Sequence, residues 1–80
     1  MVKLTDIQRT GDTIRCKAYV EDCEEPVNLM FHIRSHILDD FTLPNGYEYC
    51  DWHILIYAKK YLEEAANMVS IPKEKLIMWY

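Results

Sequence analysis

The sequence predicts an α+β fold, β-β-β-α-β, with an antiparallel sheet of about four strands and one long helix packed on one face. Two early segments, 13–20 and 27–34, alternate apolar and polar residues with the period of a half-buried strand. A later stretch, 47–69, gathers its apolar residues with the period of a helix. The chain has 80 residues with only 2 Gly and 3 Pro, so it has room for one core, no linker and no internal repeat. It is taken as a single domain over 1–80.

The first strand is VKLTDIQR, 2–9, closed by RTGDT, whose glycine suits a tight turn. In TIRCKAYV, 13–20, Ile14, Cys16, Ala18 and Val20 share one face, while Thr13, Arg15, Lys17 and Tyr19 share the other. EDCEEP, 21–26, is an acidic loop. In VNLMFHIR, 27–34, Val27, Leu29, Phe31 and Ile33 continue the apolar face, opposite Asn28, Met30, His32 and Arg34. These three segments make a meander with one apolar side. Residues 35–46 are irregular, with a short strand near His36 to Leu38 and a turn at Pro-Asn-Gly. The closing KEKLIMWY, 73–80, reads as a last strand; if it pairs with the first, the order is 4-1-2-3.

On a helical wheel Tyr47, Ile54, Ala58, Tyr61, Leu62, Ala65 and Val69 face the sheet, and the helix runs to about Val69. Lys59, Lys60, Glu63, Glu64 and Asn67 form the opposite, solvated face, with charge pairs at i, i+4. Two starts are open. Asn45-x-x-Glu48 matches a capping box and starts the helix near Gly46, the favoured reading, but it turns Asp51 toward the core. A start at Asp51 makes that residue the N-cap.

The most concentrated stretch is GYEYCDWHI, 46–54. Tyr49, Trp52, His53 and Ile56 follow i, i+3, i+4, i+7 and fall on the lysine and glutamate side, away from the core. A helix apolar on two sides is sandwiched between two layers. The second layer is either the chain's own segment 35–44, through Ile37, Leu38, Phe41 and Leu43, or a partner, and tyrosine and tryptophan are what interfaces favour. The leading functional expectation is therefore a non-enzymatic interaction or structural module, binding a protein partner or itself through Tyr49, Trp52, His53 and Ile56.

The alternative is single-stranded nucleic-acid binding by the open face of the sheet, with Lys3, Arg15, Lys17 and Arg34 for phosphates, Tyr19 for stacking, and His32 among them. A net charge of −4 and the lack of an RNP-type motif count against it. His32-x3-His36 and Cys50-x2-His53 have the spacing of zinc ligands, but one pair lies on the sheet and the other on the helix, so no metal is expected. Cys50, Asp51 and His53 are the residue types of an activated thiol, yet helical spacing turns Cys50 and His53 apart, and no phosphate loop or nucleophile elbow is present, so no enzyme activity and no cofactor are expected. MVKLTDIQRTGD has no apolar run behind its lysine, no stretch has the ~20 apolar residues of a membrane span, and Cys16, Cys23 and Cys50 are an odd set without a CxxC pair. The expectation is a soluble, cytoplasmic chain with reduced thiols. With its GYEYCDWH helix start and its PKEK…MWY end, Pro72 to Tyr80, the sequence resembles short uncharacterised bacterial proteins; that resemblance covers most of the chain and implies one compact domain and no particular activity.

Overall fold

The computed structural model describes residues 1–79. Five antiparallel strands, β1 Val2–Thr10, β2 Thr13–Val20, β3 Val27–His32, β4 Ile37–Leu38 and β5 Lys75–Ile77, form one sheet in the order β4-β3-β2-β1-β5. The last strand lies beside the first, as expected, and the short strand at 37–38 adds a hairpin to the far edge. The turn between β1 and β2 has Gly11 at its first central position with φ +58, which an L side chain adopts only under strain.

Alternation sets the core. Ile14, Cys16, Ala18 and Val20 are all buried, as are Val27, Leu29 and Phe31 across from them. In β1 the inward residues are Val2, Leu4 and then Ile7, a change of parity. The pairing runs Thr5↔Lys17 and then Gln8↔Arg15, so Asp6 and Ile7 stand opposite Cys16 alone, a β-bulge with Asp6 at φ +51. The bulge keeps Ile7 in the core and sets exposed Arg9 on the helix side of the sheet, where its Nη1 donates to the carbonyl of Ala66 at 2.9 Å, closing the helix C-terminus.

The helix runs without a break over 48–65: a 3₁₀ turn Glu48–Cys50, two α-helical residues at 51–52, a π-helical segment His53–Ala58, and α1 Lys59–Ala65. It begins between the two expected starts. No side chain caps it, and the Glu48 carboxylate accepts from the Gly46 amide at 3.0 Å instead of closing a box with Asn45. It ends four residues before Val69, which is fully exposed and no part of the buried face. Cys50, Ile54, Ala58, Tyr61, Leu62 and Ala65 pack on the sheet, with Leu38, Phe41, Leu43 and Tyr47 half-buried around them. The charge pairs expected along the outer face do not form: no ion pair joins Lys59 to Glu63 or Lys60 to Glu64 among the described residues. No helix there is long and apolar enough to cross a membrane.

Candidate functional site

The π segment decides which side chains reach the surface. Closing i→i+5 adds one residue to a turn, so everything before Ala58 is rotated by about 100° relative to an uninterrupted α-helix. That rotation swings Asp51 out to solvent and His53 into the core, where only 5% of it is exposed. His53 therefore leaves the expected surface stripe. The other three members remain exposed, Tyr49 at 63%, Trp52 at 42% and Ile56 at 54%, and Leu55 joins them at 50%. Leu55 carried no signal on the wheel because a lone apolar residue on the solvated side is common.

A ring cluster holds the lower side of this strip. Trp79, just past β5, stacks on Tyr57 with centroids 4.0 Å apart and planes 4° from parallel. It also meets the edge of His53 at 4.8 Å and lies 6.2 Å from Trp52, which itself sits 3.9 Å from His53. The ring packed against Trp52 and His53 thus comes from the C-terminal segment. The segment 35–44 directs Leu38, Phe41 and Leu43 to the main core and leaves Ile37 exposed.

His53 Nδ1 is 3.4 Å from Glu21 Oε1 without hydrogen-bond alignment, and Glu21 is engaged by the Met1 amine at 2.9 Å. Burial lowers the His53 pKa below its ordinary value, with the Glu21 and Asp51 carboxylates opposing and the Met1 amine assisting, which favours the neutral ring. Burial likewise raises Cys50, and it pushes Cys16 up to about 12, so neither thiol ionises readily. Tyr47 donates to Asp22 at 2.8 Å, a bond that together with desolvation raises its pKa to about 12. The hydroxyl of buried Tyr61 meets no hydrogen-bond partner among the described residues, and the Lys75 ammonium sits 5.6 Å above its ring. All three cysteines are free, and Cys23, half-buried, donates its thiol to the Glu25 carbonyl.

On the open sheet face the registers place Lys3 beside Tyr19, Lys17 beside Thr5, Arg15 beside Met30 and His32 beside Thr13, as the alternation predicts. Arg34 is the exception. It falls in the turn after β3 and pairs with Asp12 at 3.0 Å. The expectation that acids lie elsewhere is also corrected. Asp39 meets His32 at 2.8 Å, and the bulge brings Asp6 to within 3.8 Å of Lys17. Asp39 and Asp40 line a hollow of about 380 Å³ together with Arg15. His36 is in a turn at φ +57 beside the Phe31 ring, apart from the helix, and among the described residues no three His, Cys, Asp or Glu side chains converge to hold a metal ion. Comparison with protein-family models, with curated proteins and with solved structures gives no match.

Proposed function

We propose that the chain is a small interaction module without enzymatic chemistry, and that Tyr49, Trp52, Leu55 and Ile56 receive a protein partner or a second copy. The observation that carries this reading is the exposed row itself. The helix presents four large apolar side chains to water while its inner face is already satisfied by the sheet. Trp52 is held in place from below by Trp79 and Tyr57, so burying it against a partner costs little further ordering. Three free cysteines, two of them buried, suit a reducing compartment such as the cytoplasm.

The runner-up is nucleic-acid binding by the open sheet face. Its support is the side-by-side placement of Lys3, Arg15, Lys17 and Tyr19. Asp6, Asp12 and Asp39 weaken it, since each already engages one of the cationic groups it needs and would repel phosphate.

A photo-crosslinking residue placed at Ile56 in cells, with the same residue at Arg15 as the comparison, tests the proposal. Covalent protein adducts from position 56 and none from position 15 are the expected result. Adducts from position 15 alone, or adducts sensitive to nuclease, overturn it.

A further inference from the structure

The partner question has an answer in the edge of the sheet. The two edges differ in how they are guarded. At β4 only two residues pair, and two acids, Asp39 and Asp40, follow them directly. Charges and brevity of this kind keep an edge from accepting another strand. At the other edge β5 pairs with β1 through Lys75, Leu76 and Ile77, and among the described residues its second side meets no strand. Leu76 and Met78 are each 51% exposed there. The one charged side chain in β5, Lys75, is exposed but engaged over the Tyr61 ring on the helix side, not along the strand edge.

The helix flank above this edge is the one that carries the apolar strip. A cleft of about 220 Å³ runs between Tyr57, Lys60, Tyr61 and Glu64 on the helix and Lys75 and Ile77 on β5. Above it Trp52, Ile56, Lys60 and Glu64 succeed one another at intervals of four, all exposed. Lys60 and Glu64 engage no acid or base of the described chain.

This row is complementary to itself reversed. A two-fold axis through the β5 edge, perpendicular to the sheet, would set β5 antiparallel to its copy and bring both helices side by side on the same face, also antiparallel. With the axis passing between Lys60 and Glu64, each lysine faces the other copy's glutamate. The exposed Met68 of one copy then lies toward Ile56 of the other. We propose, resting on the interface reading above, that the partner is a second copy of this chain. The two copies join β5 to β5, with reciprocal Lys60–Glu64 contacts between their helices.

Sedimentation velocity on the full chain, from micromolar to millimolar concentration, together with three charge variants, tests this. The expected result is a reversible monomer–dimer equilibrium. Lys60→Glu places two pairs of like charges in the contact and is expected to weaken it ~10-fold or more, with Glu64→Lys doing the same. The double exchange, Lys60→Glu with Glu64→Lys, restores the original affinity because both contacts reverse together. These positions are solvent-facing, and circular dichroism checks that each variant stays folded. A chain that is monomeric throughout overturns the second copy; adducts from Ile56 to a different protein would then still uphold the interface reading. A dimer that ignores both charge exchanges but dissociates in Trp52→Ala overturns the β5 arrangement while keeping the strip as the interface. A dimer indifferent to Trp52→Ala as well defeats both.

Discussion

Trp79→Ala is the sharpest test of how the C-terminal segment holds the helix. Trp79 stacks on Tyr57 at 4.0 Å, meets His53 edge-on at 4.8 Å and touches the Trp52 ring at 6.2 Å. Truncating a fully buried tryptophan costs about 3–5 kcal/mol. Trp79 is partly exposed, which reduces the burial share, but each well-placed ring pair adds about 0.5–1.5 kcal/mol beyond burial. A loss of about 2–3 kcal/mol follows, against a total of about 4–12 kcal/mol for a domain of this length. At about 4–8 °C per kcal/mol, the midpoint of thermal unfolding should fall by about 10–20 °C. Urea unfolding followed by far-ultraviolet circular dichroism measures the change without relying on tryptophan fluorescence. Combined with Tyr57→Ala in a double-mutant cycle, it should give a coupling of at least about 0.5 kcal/mol. A Trp79→Ala protein within ~0.5 kcal/mol of the parent, or zero coupling to Tyr57, would refute the view that this stack pins the helix.

Three further outcomes follow from single residues. His53 is neutral in the fold and has its ordinary pKa when unfolded, so the unfolded chain binds more protons below about pH 6.5; the contribution is complete above that pH and is lost as pH falls through it. The unfolding midpoint of the parent should therefore drop between pH 7.5 and 5.5 more steeply than that of His53→Phe, and parallel slopes would sink the assignment. Iodoacetamide on the native chain should add one label, at Cys23, with Cys16 and Cys50 reacting only on unfolding; a second native adduct, read by mass spectrometry, contradicts the burial of those thiols. Asp6→Gly relieves a left-handed residue at the bulge and gives up only an exposed 3.8 Å contact with Lys17, so stability should rise by about 0.5 kcal/mol in urea titration, and a fall would mean that the carboxylate does more than the strain costs.

Much of the sheet was legible because its signals are local. The alternation in β2 and β3 assigned Cys16, Ala18, Leu29 and Phe31 to the core without any tertiary information, and β5 found its place beside β1. What escaped was parity and phase. The bulge at Asp6 has no glycine to mark it, yet it reverses which residues of β1 face inward. Val69 matched the helical period but lies past the end that Arg9 closes, a contact 57 positions away in sequence. Within the candidate site, the wheel placed Trp52 and Ile56 outward and misplaced His53, because it assumed one rotation per residue over the whole helix. Trp79 was read only as a strand residue, since its ring partners are brought together by the fold.

The π segment accounts for the misplaced His53 and makes its own prediction. An uninterrupted α-helix would turn the Asp51 carboxylate toward the sheet and His53 to water. Burying a carboxylate without a partner costs several kcal/mol, whereas an imidazole can enter the core by giving up its proton near neutrality. One extra residue between His53 and Ala58 exchanges the first situation for the second, and it brings Trp52 over Trp79. If that is its role, the extra residue is removable. Deleting exposed Leu55 converts the π turn to an α turn while Cys50, His53 and Ile54 keep their phase against Ala58 and Leu62. The variant should fold with stability within about 1 kcal/mol of the parent, and should retain a lowered His53 pKa by NMR titration. Deleting Lys60 instead turns the first half of the helix about 100° further in the same sense and should unfold the chain, because Cys50 and His53 would leave the core and Trp52 would be forced into it. If the Leu55 deletion were as damaging as the Lys60 deletion, the phase argument would fail, and with it the reason for Asp51 being outside and His53 within.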